Sequence, residues 1–213
     1  MRQKMGGRQW SSIALSMGIL AVPVMSLSGC AVSGYHHLPD AQQDAARRVQ
    51  KYFNDLSSLQ ANFAQEGPGR QQGDGHFTYV PGALRLDYDI PNKTVLIAKG
   101  DYLTLNDGNS GAVTRMSLKR NPMGFLLRHP LKFDDGVQVS NVMKGMDSLQ
   151  ISLTQADNPS QGLLTLQFSD IHSHLSLIGI QGVDGRGHHF GLSLYEVKEN
   201  EPVSADIFTQ PSE

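Results

Sequence analysis

From Gly73 onward the chain keeps one rhythm: apolar and polar residues alternate in short runs, and each run stops at a turn signal. Phe77 and Tyr79 alternate with polar neighbours, and Leu84, Leu86 and Tyr88 are separated by Arg85 and Asp87. Similar runs lie near 93–98, 102–106, 112–118, 137–142, 148–154, 163–169, 174–180 and 188–195. A period of two is the mark of a strand with one face buried. Lys99-Gly100, Asn106-Asp107-Gly108, Asp157-Asn158-Pro159 and Asp184-Gly185 with Gly187 punctuate the runs. The connections are about two to six residues, too short for the crossover of a dozen or more that parallel neighbours require. The expected fold is therefore a mainly antiparallel sheet of about ten strands.

Helical patterning is confined to a few places. Between Asp40 and Ala64, the residues Val49, Phe53, Leu56, Leu59 or Gln60, and Phe63 recur at spacings of three and four, with Asp40 available as N-cap. Gly67-Pro68-Gly69 ends that helix. Asn121-Pro122 followed by Met123-Gly124-Phe125-Leu126-Leu127 reads as a cap, a proline in the first helical position and a short apolar turn. A further small turn is expected from Ser204 through Phe208. One long helix cannot cover the apolar face of ten strands, so the sheet must close on itself or leave an apolar hollow.

The first residues are of another kind. Arg2, Lys4 and Arg8 precede a nearly uncharged stretch from Ile13 to Leu27 that Pro23 interrupts. This is the pattern of an export signal and is too short for a comfortable membrane span. The sole cysteine, Cys30, closes the sequence Leu27-Ser28-Gly29-Cys30, which resembles a bacterial lipobox. Cleavage before Cys30 would leave a lipid on its sulfur; ordinary cleavage nearby, for instance after Ala31, would leave none. The division expected is a signal peptide over 1–29, a polar tether over 30–39 and one domain over 40–213. Without 1–29, the formal charge of −2 becomes −5 for the remaining 184 residues. Beyond Arg47-Arg48 on the expected helix, no basic cluster forms a nucleic-acid surface, so nucleic acid is not an expected partner.

Other chemistry finds little support. His172 and His174 share a strand face but have no acidic or thiol partner at a ligand spacing, so no metal or other cofactor is expected. Gly182-Val183-Asp184-Gly185-Arg186-Gly187 lacks the helix a nucleotide fingerprint needs, and Asp134-Asp135 reads as a solvated turn. No nucleophile elbow, metalloprotease motif or phosphate loop is present, and no enzyme is expected.

Four stretches, in order, resemble the periplasmic outer-membrane lipoprotein carrier family, LolA. "YFNDLSSLQANFAQ" resembles its first helix, "GHFTYVPGALRLDYDIPNKTVLIAKGDYLTLND" its Gly- and Pro-punctuated strands, "NPMGFLL" the short helix over the mouth and "ENEPVSADIFTQP" its closing pattern. The resemblance implies a mainly β fold with some α: a half-barrel of ten to eleven antiparallel strands, covered by a long N-terminal helix and short lid helices. It implies a non-enzymatic carrier that shields lipoprotein acyl chains across the periplasm. An outer-membrane-anchored acceptor or a lipid-sensing structural lipoprotein is the alternative. On this reading Leu84, Leu86, Tyr88, Val95, Ile97, Leu103, Leu105 and Met116 line the acyl-chain cavity, and Met123, Phe125, Leu126 and Leu127 form the lid, with Gly124 as its hinge. The partners implied are acylated lipoproteins, an inner-membrane lipoprotein-releasing transporter, and an acceptor at the outer membrane or that membrane itself, with the chain acting as a monomer. The place implied is the periplasm, tethered to the outer membrane through Cys30 or else soluble. Ala31, where an aspartate would mark retention in the inner membrane, implies outward sorting. The family's arginine before the first proline is replaced here by Val80.

Overall fold

A computed structural model describes residues 34–67, 72–119, 121–134 and 136–209 of the chain. The export signal and Cys30 lie outside the described residues. The elements are helix α1 (Asp40–Asp55) and eleven strands: β1 (Leu59–Glu66), β2 (Gln72–Val80), β3 (Ala83–Ile90), β4 (Thr94–Lys99), β5 (Tyr102–Asp107), β6 (Val113–Ser117), β7 (Val137–Lys144), β8 (Ser148–Gln155), β9 (Gly162–Ile171), β10 (His174–Asp184) and β11 (His189–Glu199). Short 3-10 turns cover Pro122–Leu127, Pro159–Gln161 and Ala205–Phe208. All eleven strands form one antiparallel sheet in the order β6-β5-β4-β3-β2-β1-β11-β10-β9-β8-β7.

This order has a geometric consequence. The two edge strands, β6 and β7, are consecutive in the chain, so residues 118–136 must travel from one edge of the sheet to the other. A flat sheet of this width would separate its edges by ~48 Å, at about 4.8 Å per strand gap. A nineteen-residue connection spans at most about 60 Å when straight, and this one coils six of its residues into the turn Pro122–Leu127. The sheet is curled, as a hydrogen bond between its two sides shows. Gln155, at the end of β8, donates from Nε2 to the carbonyl of Lys119, just past β6, at 3.2 Å.

The expected long helix is shorter than its pattern. It ends at Asp55, where Leu56 turns extended (φ −69°, ψ 128°), and residues 59–66 form a strand. Leu59, Ala61 and Phe63 satisfy a period of two as well as a period near four. The strand wins because β1 alone joins β2 to β11 and so unites the two halves of the sheet. Asp40 is not the N-cap either. Pro39 holds that position without a side-chain cap, and Asp40 lies in the first turn, where its carboxylate suits the helix dipole.

The segment read as a tether is partly folded. Gly34 donates to the Val137 carbonyl at 2.8 Å and accepts from Val139 N at 3.1 Å, extending the β7 edge by one parallel bridge. Tyr35 and Leu38 pack on the core, and Gln43 Nε2 donates to the Leu38 carbonyl at 2.8 Å. Turn-rich composition alone did not distinguish a packed turn from a free one.

The apolar stripe of α1 (Ala45, Ala46, Val49, Phe53) lies on the inner face of the sheet. The Phe53 ring meets Tyr79 of β2 and Phe168 of β9 edge-on, at 5.9 Å and 6.2 Å between centroids. Two polar locks fix the helix. Arg48 grips Asp170 with both guanidinium nitrogens (2.8 and 2.5 Å), and Tyr52 Oη donates to Glu199 at 2.7 Å while accepting from Leu177 N at 3.2 Å.

Candidate functional site

Strand register decides which residues share the inner face. Opposed residues of an antiparallel pair point the same way, so each row can be followed across the sheet. One row runs Leu59, Tyr79, Leu84, Ala98, Leu103, Met116 from β1 to β6, and the next runs Ala61, Phe77, Leu86, Leu96, Leu105, Thr114. Tyr88 stands one row further along, its ring edge-on to Phe63 at 5.0 Å and its hydroxyl bonded to Gln65.

Exposure grades along these rows. Leu59, Tyr79 and Leu84 are sealed, Leu103 is half-buried, and Met116 at the free edge is 46% exposed. In the second row Phe77 and Leu86 are sealed, and Leu96 and Leu105 are half-buried. On the other side of the sheet the inner face is closed: Val139, Ile151, Leu153, Leu164, Leu166 and Phe168 are all fully buried. The wall formed by β3 to β6 is thus an apolar surface that the chain's own helix and lid cover incompletely.

Six of the residues expected to line the cavity therefore share this wall: Leu84, Leu86, Tyr88, Leu103, Leu105 and Met116. Val95 and Ile97 do not. Their partners across the ladder are Asp87 and Arg85 on β3, and Asn106 and Thr104 on β5, which places both on the outer face. A strand read one residue out of step presents its opposite face. Leu96 and Ala98 are the inner-face residues of β4. Ile97 is nonetheless buried, together with Phe208 and apart from the main core. The C-terminal turn Ala205–Phe208 packs on β3 from outside, where Arg85 Nη1 donates to the Ile207 carbonyl at 2.5 Å.

The lid residues come together on the inner side. Phe125 and Leu126 are buried in the same core cluster as Leu84 and Leu86, while Met123 and Leu127 pack against it half-buried. Asn121 caps the turn as expected, its Oδ1 accepting from Met123 N at 2.9 Å. Gly124 allows close approach: a Cβ there would lie 3.0 Å from the Leu118 carbonyl oxygen. A surface cleft of about 240 Å3 lies at this point, lined by Gly100, Asp101, Leu118, Asn121, Phe125 and Leu127 among others. The lid is fastened at both ends. Its far end is riveted to α1, with Asn54 donating to the Leu131 carbonyl (3.0 Å) and accepting from Leu131 N (2.7 Å), and Gln50 accepting from Phe133 N (2.9 Å). Its near end meets the sheet through apolar side chains, the Gln155 bond to Lys119, the Leu118 N–H donating to the Asp101 carbonyl (2.8 Å) and the Lys119–Asp101 ion pair (3.5 Å). Gln50 and Asn54, spaced i and i+4 beside the apolar stripe, form a pair of amides on one helix face, but that spacing alone does not say which backbone they hold.

The electrostatics of the wall are quiet. Burial pushes the Tyr79 and Tyr88 hydroxyls up to about 12, so both stay neutral at any ordinary pH. Among the described residues, no group of three or more His, Cys, Asp or Glu could hold a metal, and no helix is long and apolar enough to cross a membrane.

The family model described as outer membrane lipoprotein carrier protein LolA matches residues 54–211. Outer-membrane lipoprotein carrier proteins from three strains of Coxiella burnetii are 28% identical over 126 residues, covering 54% of this chain and 56% of theirs. The match thus spans little more than half the length of these relatives. Among solved structures, a LolA-superfamily protein from Nitrosomonas europaea aligns at 14% identity and TM-score 0.46, covering 79% of this chain and 97% of its own. The lipoprotein LppX of Mycobacterium tuberculosis aligns at 15% identity and TM-score 0.43, covering 78% and 98%.

Proposed function

The chain belongs to the LolA family of outer membrane lipoprotein carrier proteins, and from that membership we propose that it carries lipoproteins by shielding their acyl chains on the inner wall of β3 to β6. The observation that supports this reading is the graded exposure of that wall, from sealed Leu84 through half-buried Leu96, Leu103 and Leu105 to exposed Met116. An apolar surface left open beside a closed core is what a greasy ligand completes. Met116 and Met123 add side chains that adapt to varied packing.

Energetics limit how the carrier works. Three acyl chains of about fifteen methylenes, at ~0.8 kcal/mol each, expose roughly 36 kcal/mol to water. Non-covalent affinity saturates near about 18 to 21 kcal/mol. The protein therefore shields part of the chains and hands them on to an apolar acceptor. Phe125 and Leu126 are buried in the core when the lid is shut, their turn packing on β8 to β10, so loading requires the turn 122–127 to lift while Asn54 and Gln50 hold the far end of the connection. An inner-membrane lipoprotein-releasing transporter would supply the cargo, and an acceptor at the outer membrane or that membrane itself would receive it. No catalytic step is needed, and the carrier works as a monomer in the cell envelope. The lipobox at Cys30 favours a form tethered to the outer membrane over a soluble one; the intact mass of the mature chain distinguishes them.

Loading is tested with a triacylated lipopeptide and the variants Leu105→Glu and Met116→Glu, at positions exposed enough to keep the fold. Placing a carboxylate against acyl chains costs about 2 kcal/mol, a ~30-fold loss of affinity, with little change in melting temperature. Unchanged lipopeptide binding by both variants would remove the wall from the mechanism.

A further inference from the structure

We propose that β6, the free edge of the open wall, takes an extended peptide as an added strand, and that this peptide is the first few residues after the acylated cysteine of the cargo. The inference rests on the reading that acyl chains lie on the wall of β3 to β6. β6 pairs with β5 alone, and four of its five residues are exposed. Its register shows which backbone groups are free. At the two ends of the β5–β6 ladder, Asp107 N donates to the Ala112 carbonyl at 3.0 Å and Leu118 N to the Asp101 carbonyl at 2.8 Å. Bonded and unbonded pairs alternate along an antiparallel ladder, so Leu103 with Met116 and Leu105 with Thr114 are the bonded pairs between those ends. The N–H and C=O groups of Val113, Arg115 and Ser117 therefore point away from β5, and none of them has a partner among the described residues.

The two edges of the sheet are treated differently. β7 is blunted at its start, where Gly34 bridges to Val137 and Val139, and its register shifts between Val139 and Asn141. β6 carries no register shift and no proline, and its one charge is turned aside: the guanidinium carbon of Arg115 lies 3.8 Å from the centre of the Tyr102 ring on the outer face of β5. An edge left straight and uncovered is a template for another strand. What fills it follows from the wall. Thr114 and Met116 continue the inner rows, so acyl chains lying there bring the cysteine that bears them to the rim, and the residues after that cysteine leave along the edge. The edge is ~14 Å long, at about 3.4 Å per residue, and reads main chain rather than side chains. A second copy of this chain fits worse, because pairing the three free residues antiparallel with their own copy sets Arg115 against Arg115.

The test compares two ligands on the purified protein: a triacylated cysteine amide, and the same lipid followed by a short serine-rich peptide. The peptide is expected to tighten binding about tenfold, the gain from a few main-chain hydrogen bonds. It should also slow amide exchange at Val113, Arg115 and Ser117, which the lipid amide alone leaves fast. Arg115→Pro deletes a donor that points away from β5 and so spares the ladder; it should bring the two ligands to nearly equal affinity, whereas Arg115→Gln should keep the parent's difference. N-methylation of the peptide backbone should abolish the gain with the protein untouched. Equal affinity of the parent for both ligands, or unchanged exchange at the three amides when the peptide is present, overturns the proposal and leaves the wall standing. A dimer in solution that protects the same amides without ligand also overturns it, by assigning the edge to a second copy. Failure of the lipid amide to bind at all would remove the wall, and this inference with it.

Discussion

Asp170 stands at the end of β9 on the inner face, its side chain 6% exposed, and its carboxylate exists there because Arg48 reaches it from α1. The guanidinium's hydrogen bonds hold this carboxyl below its ordinary value of 3.8, against the opposing effect of burial. A lowered folded-state value means that the stabilisation is fully present above pH ~4 and is lost as pH falls through the folded value. Acid titration of stability should therefore show a slope below pH ~4 that Asp170→Asn flattens. Arg48→Met, which strands the carboxylate, should cost about 3 kcal/mol, read as a drop in the urea midpoint; a loss within experimental error would show that the pair is not a lock. The same scale explains one failure of sequence reading. Alternation in β4 shows that Leu96 and Ala98 face one way and Val95 and Ile97 the other, but not which way is inward, because all four are apolar. The answer was available in the two-residue turn Gly100-Asp101, which pairs Lys99 with Tyr102 and hence Ala98 with Leu103 and Leu96 with Leu105.

At the scale of elements, the segment beginning at Gly34 is a clip between the edge of β7 and the base of the lid. Gly34 adopts φ +77°, a conformation that β-branched residues avoid, and any side chain there would crowd Phe133. Gly34→Val should release the clip, seen as faster amide exchange at Val139 and in the lid over 131–134, while α1 and β9 keep their protection. Uniform acceleration would instead mean that the substitution destabilises the whole domain. The ten strands from β2 to β11, their antiparallel pairing, the capped turn at Asn121 and the small turn at 205–208 were legible, because each follows from local pattern and short connections. The end of α1 was not. Leu56, Leu59 and Phe63 fit a helical stripe, and only the position of 59–66 between β2 and β11 makes the strand the better solution. Local sequence carries no record of that neighbour 130 or so residues away.

For the whole molecule, the sealed half and the open half should differ in stability as well as in exposure. Strands β8 to β10 are buried on their inner face by α1 and the lid, whereas β4 to β6 run out to a largely exposed edge. Native-state hydrogen exchange should open β5 and β6 well below the free energy that opens β9, as expected where fewer apolar contacts hold the backbone. Binding of a lipopeptide should then protect β5 and β6 selectively. If exchange in the two halves proves equal, the open wall is not a distinct unit of the fold.

The seam between β1 and β11 has a consequence for how such a polypeptide is made. The strand following the first helix finds its second neighbour only about 130 residues further along the chain, so the two ribbons cannot be stitched together until β11 has been made. Until then each ribbon keeps one edge without its neighbour, and the sheet becomes continuous in a single late step.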